Sequence, residues 1–271
     1  MLKLCYLLNN IAFYDNNAIH STLFIRLPKE ALKGTYFCSS RMEKRIIQTA
    51  DGSKTIELPE WNESYHSRHG AWQESQHVFI QMGLAHLAKD KLVVLEMGFG
   101  TGLNAIQSLE HAEKKGIFIE YHSLEAFPLN EAEWKAMEYD TLLSEPKHKA
   151  YYHQMHAADW EQTSSIGPHF QLVKYHKDIR TFLPLIQPDL VFYDAFGPRV
   201  QPELWTEDIF KRLYDLMGEG GVLTTYCAKG EVRRRLQKVG FEVERLPGPP
   251  GKREMLRAAK PPSPIFAKKI P

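Results

Sequence analysis

The sequence predicts an α/β fold, in which a mostly parallel, Rossmann-like sheet carries helices on both faces and has an antiparallel final strand. From residue 92 onward, short strand-like runs alternate with helical patterns, which is typical of strand–helix–strand units. A glycine-rich turn at residues 98–102 follows the first of these runs. Only residues 246–252 separate the last two strand runs. Such a short segment cannot form a parallel crossover, so the final strand is expected to run antiparallel.

The predicted strands are runs rich in β-branched, aromatic or leucine residues. They lie at residues 92–96, 117–124, 171–175, 190–193, 221–226, 241–244 and 253–258. Apolar residues at helical spacing fill most of the intervals between them. The predicted helices cover residues 103–115, 130–142, 178–186, 203–217 and 229–239.

The residues before this sheet predict a smaller, separate arrangement. Two β-prone runs flank Asp51-Gly52, a dipeptide that favours a hairpin turn. A helix is expected over residues 73–87, leading into the first strand. We therefore divide the chain into an irregular N-terminal extension (1–41), a hairpin and helix (42–90), a core domain (91–260) and a tail (261–271). Residues 1–41 fit an extension outside the compact protein and a helix-poor lid equally well.

Composition narrows the possible classes of protein. The chain has 271 residues, 43% of them hydrophobic, and a formal net charge of +1. This share of hydrophobic residues is enough to form a buried core, and the net charge of the whole chain favours no particular partner. Cys5, Cys38 and Cys227 are far apart in sequence, which argues against a disulfide framework or a cysteine zinc site. With no apolar run of membrane-spanning length and no signal peptide, we expect a cytoplasmic protein without a membrane partner. No metal is expected, because His and Cys residues do not cluster at ligand spacing.

The pattern Glu96-x-Gly98-x-Gly100-x-Gly102 directly follows the first strand and opens a helix. A dinucleotide fingerprint would need glycine at position 103, where leucine stands, and no lysine follows to form a phosphate-gripping loop. Alternating glycines after an acid at a strand end are the form found in S-adenosylmethionine enzymes. We therefore predict that cofactor in a class I methyltransferase sheet, with Glu96 holding its cationic amino-acid end. A tight turn without a ligand is the weaker alternative.

Three further acids follow three consecutive predicted strands, at the edge where open α/β sheets bind ligands. Glu125 is expected to accept the hydroxyl hydrogens of a ribose. Asp178 is expected to bond the adenine amine, or else to cap the next helix. Asp194 would face the methyl donor and accept the N–H bonds of an amine substrate. A carboxylate of ordinary pKa is a weak base for an ammonium, so we assign Asp194 mainly to orientation.

The C-terminal part of the chain is locally basic. Residues 227–260 contain ten basic residues against four acidic ones, although the whole chain is almost neutral. This asymmetry suits phosphate contacts near the site, and a solvated helix face explains it equally well. Exposed aromatic residues such as Tyr65 and Phe196 could stack an unpaired base. Trp205 is expected in the core.

The chain also resembles a known family, the methyltransferases that complete 5-methylaminomethyl-2-thiouridine at the wobble position of tRNA. In some members this methyltransferase module is fused to an FAD-dependent oxidoreductase. The matching segments lie in order between about residues 43 and 260. They are Tyr65–Gly70, Gln73–Phe79, Phe99–Asn104, His122–Leu129, Lys177–Ile179, Asp194–Pro198, Pro202–Trp205, Val232–Arg234 with Leu236, and Gly251–Leu256.

The resemblance implies methyl transfer to the primary amine of 5-aminomethyl-2-thiouridine, with a tRNA anticodon stem-loop as partner. The implied cofactor residues are Gly98, Gly100, Gly102, Asn104, Glu125 and Asp178, with Asp194 as the acid that faces the substrate. The implied substrate and tRNA contacts are Tyr65, Phe196, Pro198, Arg233, Arg234, Lys252 and Arg253. Because the sequence ends soon after these motifs, no FAD is expected, and another route would supply the aminomethyl group. Residues 1–41 have no counterpart in the family.

Two other functions fit the same predicted sheet. An enzyme that transfers an aminopropyl or methyl group to a small amine, such as a polyamine, would also surround an amine with acids. It would not need the basic C-terminal segment. A non-catalytic cofactor-binding module is the second alternative, and the presence of Asp194 together with all three glycines counts against it.

Overall fold

A computed structural model of the chain describes residues 42–143 and 145–262. The extension predicted at residues 1–41 and most of the predicted tail, from residue 263 onward, lie outside the described residues. The boundaries that we drew between the four segments therefore remain a prediction.

A small antiparallel sheet of three strands comes first in the described part of the chain. Its strands, in spatial order, are β1 (Arg45–Gln48), β2 (Lys54–Leu58) and β3 (Glu63–Ser64). Gln48 of β1 pairs with Lys54 of β2 across the turn. The hairpin predicted around Asp51-Gly52 is thus confirmed.

The main sheet has eight strands. They are β4 (Lys91–Met97), β5 (Phe118–Leu124), β6 (Thr163–Ser165), β7 (Phe170–Tyr175), β8 (Leu190–Tyr193), β9 (Val222–Thr225), β10 (Glu242–Pro247) and β11 (Glu254–Ala259). Their spatial order is β10-β11-β9-β8-β4-β5-β7-β6. The five strands from β9 to β7 are parallel, and β11 runs antiparallel between β9 and β10. The predicted Rossmann-like sheet and its antiparallel final strand are confirmed.

Helices connect these strands. They are α1 (Ala71–Ser75), α2 (Leu103–Lys115), α3 (Glu131–Lys135), α4 (Pro146–Ala157), α5 (Glu207–Leu216) and α6 (Gly230–Lys238). A π-helical segment at Gln76–Gln81 continues α1, and 3₁₀ turns lie at Leu84–His86, Tyr139–Thr141 and Pro202–Trp205. The helix predicted over residues 73–87 is therefore a series of three short helical pieces.

Helices cover both faces of the main sheet, because neighbouring strand residues belong to different apolar clusters. In β4, Val94 packs in the cluster that includes α2 and α4 residues, whereas Leu95 packs in the cluster built with α5 and α6. Phe192 and Val191 of β8 divide in the same way. This alternation follows from the two-residue period of a strand. It places even-numbered residues at the end of β4 on the side of α2.

Two predicted helices differ from the structure. Residues 178–186 form a turn and an extended loop, because Pro184 cannot continue a helical hydrogen-bond ladder. The helix predicted over 130–142 ends at Lys135, and Glu138 has a positive φ of 54°. Conversely, α4 was not predicted, because polar residues surround its few buried side chains.

Candidate active site

The glycine loop, residues 98–102, joins the carboxyl end of β4 to α2. Gly102 begins α2 with a left-handed φ of 72°. A Cβ atom at this position would lie 2.8 Å from Nε2 of His156 in α4. The His156 ring is held by stacking on Trp134, with ring centroids 4.2 Å apart. Gly102 is therefore required by both backbone conformation and packing.

The other two glycines border open space. Gly98 and Gly100 have φ of 93° and 49°. A Cβ atom on Gly98 would meet nothing closer than the backbone oxygen of Asp194, at 3.7 Å. At Gly100 the nearest atom would be in the Tyr65 ring, at 3.5 Å. A ligand at the end of β4 can therefore approach the backbone of this loop closely.

Glu96 lies just before the loop, fully buried on the α2 side of the sheet. Its Oε2 accepts a hydrogen bond of 2.7 Å from the Ser123 hydroxyl, whereas its Oε1 has no hydrogen-bond partner. Burial, and then the nearby charge of Asp194, raise the pKa of Glu96 to about 8. A buried carboxylate oxygen without a donor is unfavourable, so this position suits a cationic group that donates hydrogen bonds.

Glu125 directly follows β5, and its carboxylate contacts the glycine loop. Its Oε2 accepts from the backbone N–H of Gly100 at 2.9 Å, and its Oε1 accepts from the N–H of Phe127 at 2.8 Å. Burial raises the pKa of Glu125. The two backbone bonds fix the carboxylate in orientation and leave each oxygen able to accept another hydrogen, as a ribose diol would require.

Asp178 follows β7 and is held by Arg180. The guanidinium Nε donates to Oδ1 and Oδ2 of Asp178 at 2.8 and 3.0 Å, and the Arg180 backbone N–H donates to Oδ1 at 2.9 Å. Partial burial by itself would raise the pKa of Asp178, but the Arg180 hydrogen bonds lower it overall. Arg180 therefore holds the Asp178 carboxylate ionised and in a fixed orientation. The adenine contact predicted for Asp178 remains a prediction.

Asp194 follows β8 and is oriented by Asn104. The Asn104 Nδ2 donates to Oδ2 of Asp194 at 2.9 Å, and the Ser75 hydroxyl donates to Asn104 Oδ1 at 2.5 Å. These two hydrogen bonds place Asn104, which was predicted to bind the cofactor, in direct contact with Asp194, which was predicted to face the substrate. Burial, opposed by the Asn104 hydrogen bond, raises the pKa of Asp194 to about 8. A carboxyl group with this pKa is a far better proton acceptor for an amine than an ordinary aspartate.

Aromatic rings border the Asp194 loop. The Phe196 ring makes edge contacts with Tyr65 and Trp61, with centroids 5.2 and 5.5 Å apart. The Trp205 indole N–H donates to the Phe196 carbonyl at 2.7 Å from a fully buried position, as predicted for a core residue. Pro198, two residues on from Phe196, is also buried. The structure thus brings Tyr65 and Phe196 together and adds Trp61 to them.

Lys252 reaches the same region from the turn between β10 and β11. Its ammonium pairs with the carboxylate of buried Glu74 and lies 4.0 Å from the centroid of the Tyr226 ring. Lys252 also lowers the pKa of Asp194. Lys252, predicted as a tRNA contact, is therefore engaged within the protein beside the acid.

The remaining predicted tRNA contacts lie on α6 and on the same turn. Arg233 and Arg234 of α6 form no ion pair within the part of the chain that the structure describes, and the buried Nε of Arg233 has no hydrogen-bond partner. The Arg253 side chain is 93% exposed, and its Nε lies 3.9 Å from Oε1 of Glu254. By contrast, Arg235 and Lys238 of α6 pair with carboxylates. On α6, Arg233 and Arg234 are thus distinguished from Arg235 and Lys238 by the lack of a carboxylate partner among the described residues.

Known proteins resemble this chain over most of the described region. A family model described as S-adenosyl-L-methionine-dependent methyltransferase matches residues 144–261. Two relatives bear the name tRNA 5-methylaminomethyl-2-thiouridine biosynthesis bifunctional protein MnmC. That of Methylobacillus flagellatus is 32% identical and covers 71% of this chain and 32% of that protein. That of Hydrogenovibrio crunogenus is 30% identical and covers 84% and 35%. The crystal structure of MNMC2 from Aquifex aeolicus has a TM-score of 0.65 at 26% identity, and covers 83% of this chain and 74% of that one.

The chain belongs to the methyltransferase-domain family of MnmC. It spans about a third of the length of the curated relatives it matches. The family model describes S-adenosyl-L-methionine-dependent methyltransferases, and the sheet is the predicted class I methyltransferase sheet. No helix in residues 42–143 or 145–262 has the length and apolar character needed to cross a membrane. The same ranges contain no cluster of three or more His, Cys, Asp or Glu side chains able to hold a metal ion.

The residues of this methyltransferase fit S-adenosylmethionine. The unpartnered Glu96 oxygen suits the ammonium of its amino-acid end, and the open backbone at Gly98 and Gly100 allows close approach. Glu125 and Asp178 follow β5 and β7, the next two strands of the sheet on the same side. When bound, this cofactor supplies a methyl group on a positively charged sulfur. The individual cofactor contacts remain predictions.

Sequence reasoning assigned no role to Glu74, Ser75 or Trp61 of this methyltransferase. Glu74 and Ser75 lie within a segment that carried the family resemblance, but their partners, Lys252 and Asn104, are distant in sequence. The one available signal was a pair of polar residues beside the apolar face of a predicted helix. Such a pattern shows that polar side chains are buried without indicating what they contact.

Proposed function

We propose that the enzyme transfers a methyl group from S-adenosylmethionine to the primary amine of 5-aminomethyl-2-thiouridine at the wobble position of tRNA. The observation that carries the proposal is the Asp194 carboxylate, held by Asn104 beside the glycine loop and bordered by aromatic rings. An acid next to the methyl donor suits an amine acceptor, because a carboxylate accepts the N–H bonds of the amine and stabilises the cationic product.

Asp194 has two tasks in this reaction. An aliphatic amine is protonated at neutral pH, and it must lose that proton before its lone pair can attack a methyl group. The raised pKa of Asp194, about 8, suits a group that accepts the proton. The same carboxylate then accepts an N–H bond and orients the lone pair. The sequence assigned Asp194 mainly to orientation of the amine, and the proposal adds general base catalysis to that role.

Several features support tRNA as the carrier of the amine. Two relatives are named for tRNA 5-methylaminomethyl-2-thiouridine biosynthesis. Bases in single-stranded loops are commonly bound by stacking on aromatic side chains, and Tyr65 and Phe196 border the acid. Arg233 and Arg234 offer cations for phosphates near the carboxyl edge of the sheet. The proposal includes the anticodon stem-loop as the bound part of tRNA and the cytoplasm as the location.

Incubation with methyl-labelled S-adenosylmethionine tests the substrate. We expect label in tRNA that carries 5-aminomethyl-2-thiouridine, recovered as 5-methylaminomethyl-2-thiouridine after nucleoside analysis. The matched control is the same tRNA with an unmodified wobble uridine, which lacks the amine. Label in spermidine but not in tRNA would instead support a small-amine transferase, and no label in either would leave only a cofactor-binding module.

Filter binding at several salt concentrations tests the tRNA surface. We expect Arg233→Ala and Arg234→Ala each to weaken tRNA binding and to reduce the slope of log K against log salt by about 1. Arg245→Ala is the matched control, because Arg245 pairs with Glu254. An unchanged salt slope in both α6 variants would exclude this helix from the interface.

A further inference from the structure

The glycine loop is held from outside by side chains that the proposed reaction does not use. Thr101, within this loop, is 1% exposed. Its carbonyl accepts the Tyr152 hydroxyl at 2.9 Å and the Nε2–H of His156 at 3.1 Å, both from α4. Its hydroxyl lies 2.9 Å from Nε2 of His66, in the segment that follows β3. Thr101 therefore joins the loop to two other parts of the fold.

The His156 ring has little freedom to turn away from Thr101. It stacks on the Trp134 indole, with centroids 4.2 Å apart and planes at 8°, and it makes an edge contact with Phe99 at 5.2 Å. The Lys174 ammonium donates to the His156 carbonyl at 2.9 Å and so holds the backbone. Burial lowers the pKa of His156 to about 3, so the ring is neutral at physiological pH. Because a carbonyl oxygen can only accept, the one ring proton lies on Nε2.

The absence of a side chain at Gly102 lets His156 reach this carbonyl. A Cβ atom on Gly102 would lie 2.8 Å from Nε2, the atom that donates to the preceding residue. A peptide unit is planar, so fixing the Thr101 carbonyl also fixes the Gly102 N–H, which donates to the Phe99 carbonyl at 2.8 Å. All three glycines of the loop have positive φ. Glycine permits such a conformation without enforcing it, so the surrounding side chains must select it.

We propose that His156 is a positioning residue that, together with Tyr152, fixes the Thr101 carbonyl and so holds the glycine loop in the conformation that receives S-adenosylmethionine. The inference rests on the cofactor of the proposed function and is independent of its tRNA substrate. In the same loop the Gly100 N–H donates to Glu125, so a change of loop conformation would also displace that acid. A loop without these donors has more conformations to lose on binding, which lowers the affinity for the cofactor.

Calorimetric titration with S-adenosylmethionine alone tests this role in two matched variants. His156→Phe keeps a ring that can stack on Trp134 and removes the N–H donor, whereas His156→Gln keeps an N–H donor and removes the ring. We expect Kd to rise by about tenfold in His156→Phe and by less in His156→Gln. Tyr152→Phe, which removes the second donor, should also raise Kd. If His156→Gln bound the cofactor no more tightly than His156→Phe, the ring would serve only packing and the proposal would be overturned.

His169→Phe is the matched control. The His169 Nδ1–H donates to the backbone carbonyl of Ile117 at 3.1 Å, which is the same kind of bond at the same length. Ile117 directly precedes β5, at the edge of the sheet opposite the glycine loop. Loss of this bond should lower the unfolding temperature and leave Kd unchanged. A Kd raised equally in folded His169→Phe and His156→Phe would attribute the effect to general loosening of the fold and refute the positioning role.

Amide hydrogen exchange in the cofactor-free protein supplies a measurement that needs no ligand. We expect the Gly100 and Gly102 amides to exchange about fivefold to tenfold faster in His156→Phe than in the wild type, and His169→Phe to leave both rates unchanged. Equal rates in the wild type and His156→Phe would contradict the proposal. If the exchange rates and Kd respond as expected but no tRNA is methylated, the positioning role is supported and the proposed substrate alone fails.

Discussion

Binding of S-adenosylmethionine should release protons from the buried acids of the site. Burial raises the pKa of both Glu96 and Asp194 to about 8 in the cofactor-free protein. A carboxyl group with that pKa is about 90% protonated at pH 7. The ammonium and sulfonium charges of the cofactor favour the ionised form of a nearby acid. Glu96, with its unpartnered oxygen, is the acid that we expect to ionise first.

Isothermal titration calorimetry measures this release. The observed enthalpy at pH 7 should vary with the ionisation enthalpy of the buffer, with a slope of about one proton or more per cofactor, and the slope should fall below about 0.2 per acid at pH 9. Glu96→Gln should lower the slope at pH 7 by about one proton. Asp215→Asn, a surface substitution on α5, should leave it unchanged. A slope near zero at pH 7 in the wild type would refute the reasoning, because it would mean that neither acid loses a proton when the cofactor binds.

Three other substitutions test separate parts of the site. Gly102→Ala should destabilise the protein by about 3 kcal/mol in urea unfolding, because it combines a left-handed φ with a contact 2.8 Å from His156. Gly52→Ala has a similar φ but open space, so it should cost only about 1–2 kcal/mol; equal losses would argue against the packing contact. Without cofactor, the folded state binds protons at Glu96 and Asp194 that the unfolded state has lost, so stability should fall as the pH rises from about 5 to 8, by up to ~1.4 kcal/mol per pH unit for each acid. Glu96→Gln should remove the Glu96 share and about halve that slope, and an unaltered slope would contradict it. Asp194→Asn should retain cofactor binding by calorimetry yet reduce kcat by at least about 100-fold, whereas loss of cofactor binding would reassign this acid.

The alternation of strands and helices and the position of the glycine loop followed from sequence because both depend on local signals. Strand runs such as residues 92–96 have a continuous apolar character, and the glycines stand where the backbone must turn sharply. The antiparallel final strand followed from a connection too short for any other arrangement. Errors arose where local periodicity was misleading. Pro184 ended a pattern that resembled a helix, and α4 formed on only a few buried side chains.

The acids of the site were predictable for the same reason. Glu96 lies at the end of β4, Glu125 and Asp194 directly follow β5 and β8, and parallel strands bring their carboxyl ends to one edge of a sheet. The sequence could not give their protonation states. The raised pKa of Asp194 depends on how much protein surrounds it, which is a property of the packed molecule.

Sequence by itself therefore determined the sheet, the glycine loop and the family, since each depends on residues that lie close together along the chain. Only the tertiary structure decided that Asn104 orients Asp194, that Arg180 occupies Asp178, and that Lys252 pairs with Glu74. These contacts join segments, or fix side-chain geometry, in ways that no periodicity encodes. Burial and charge act through space, so the chemistry of each acid is set only when the distant segments have packed around it.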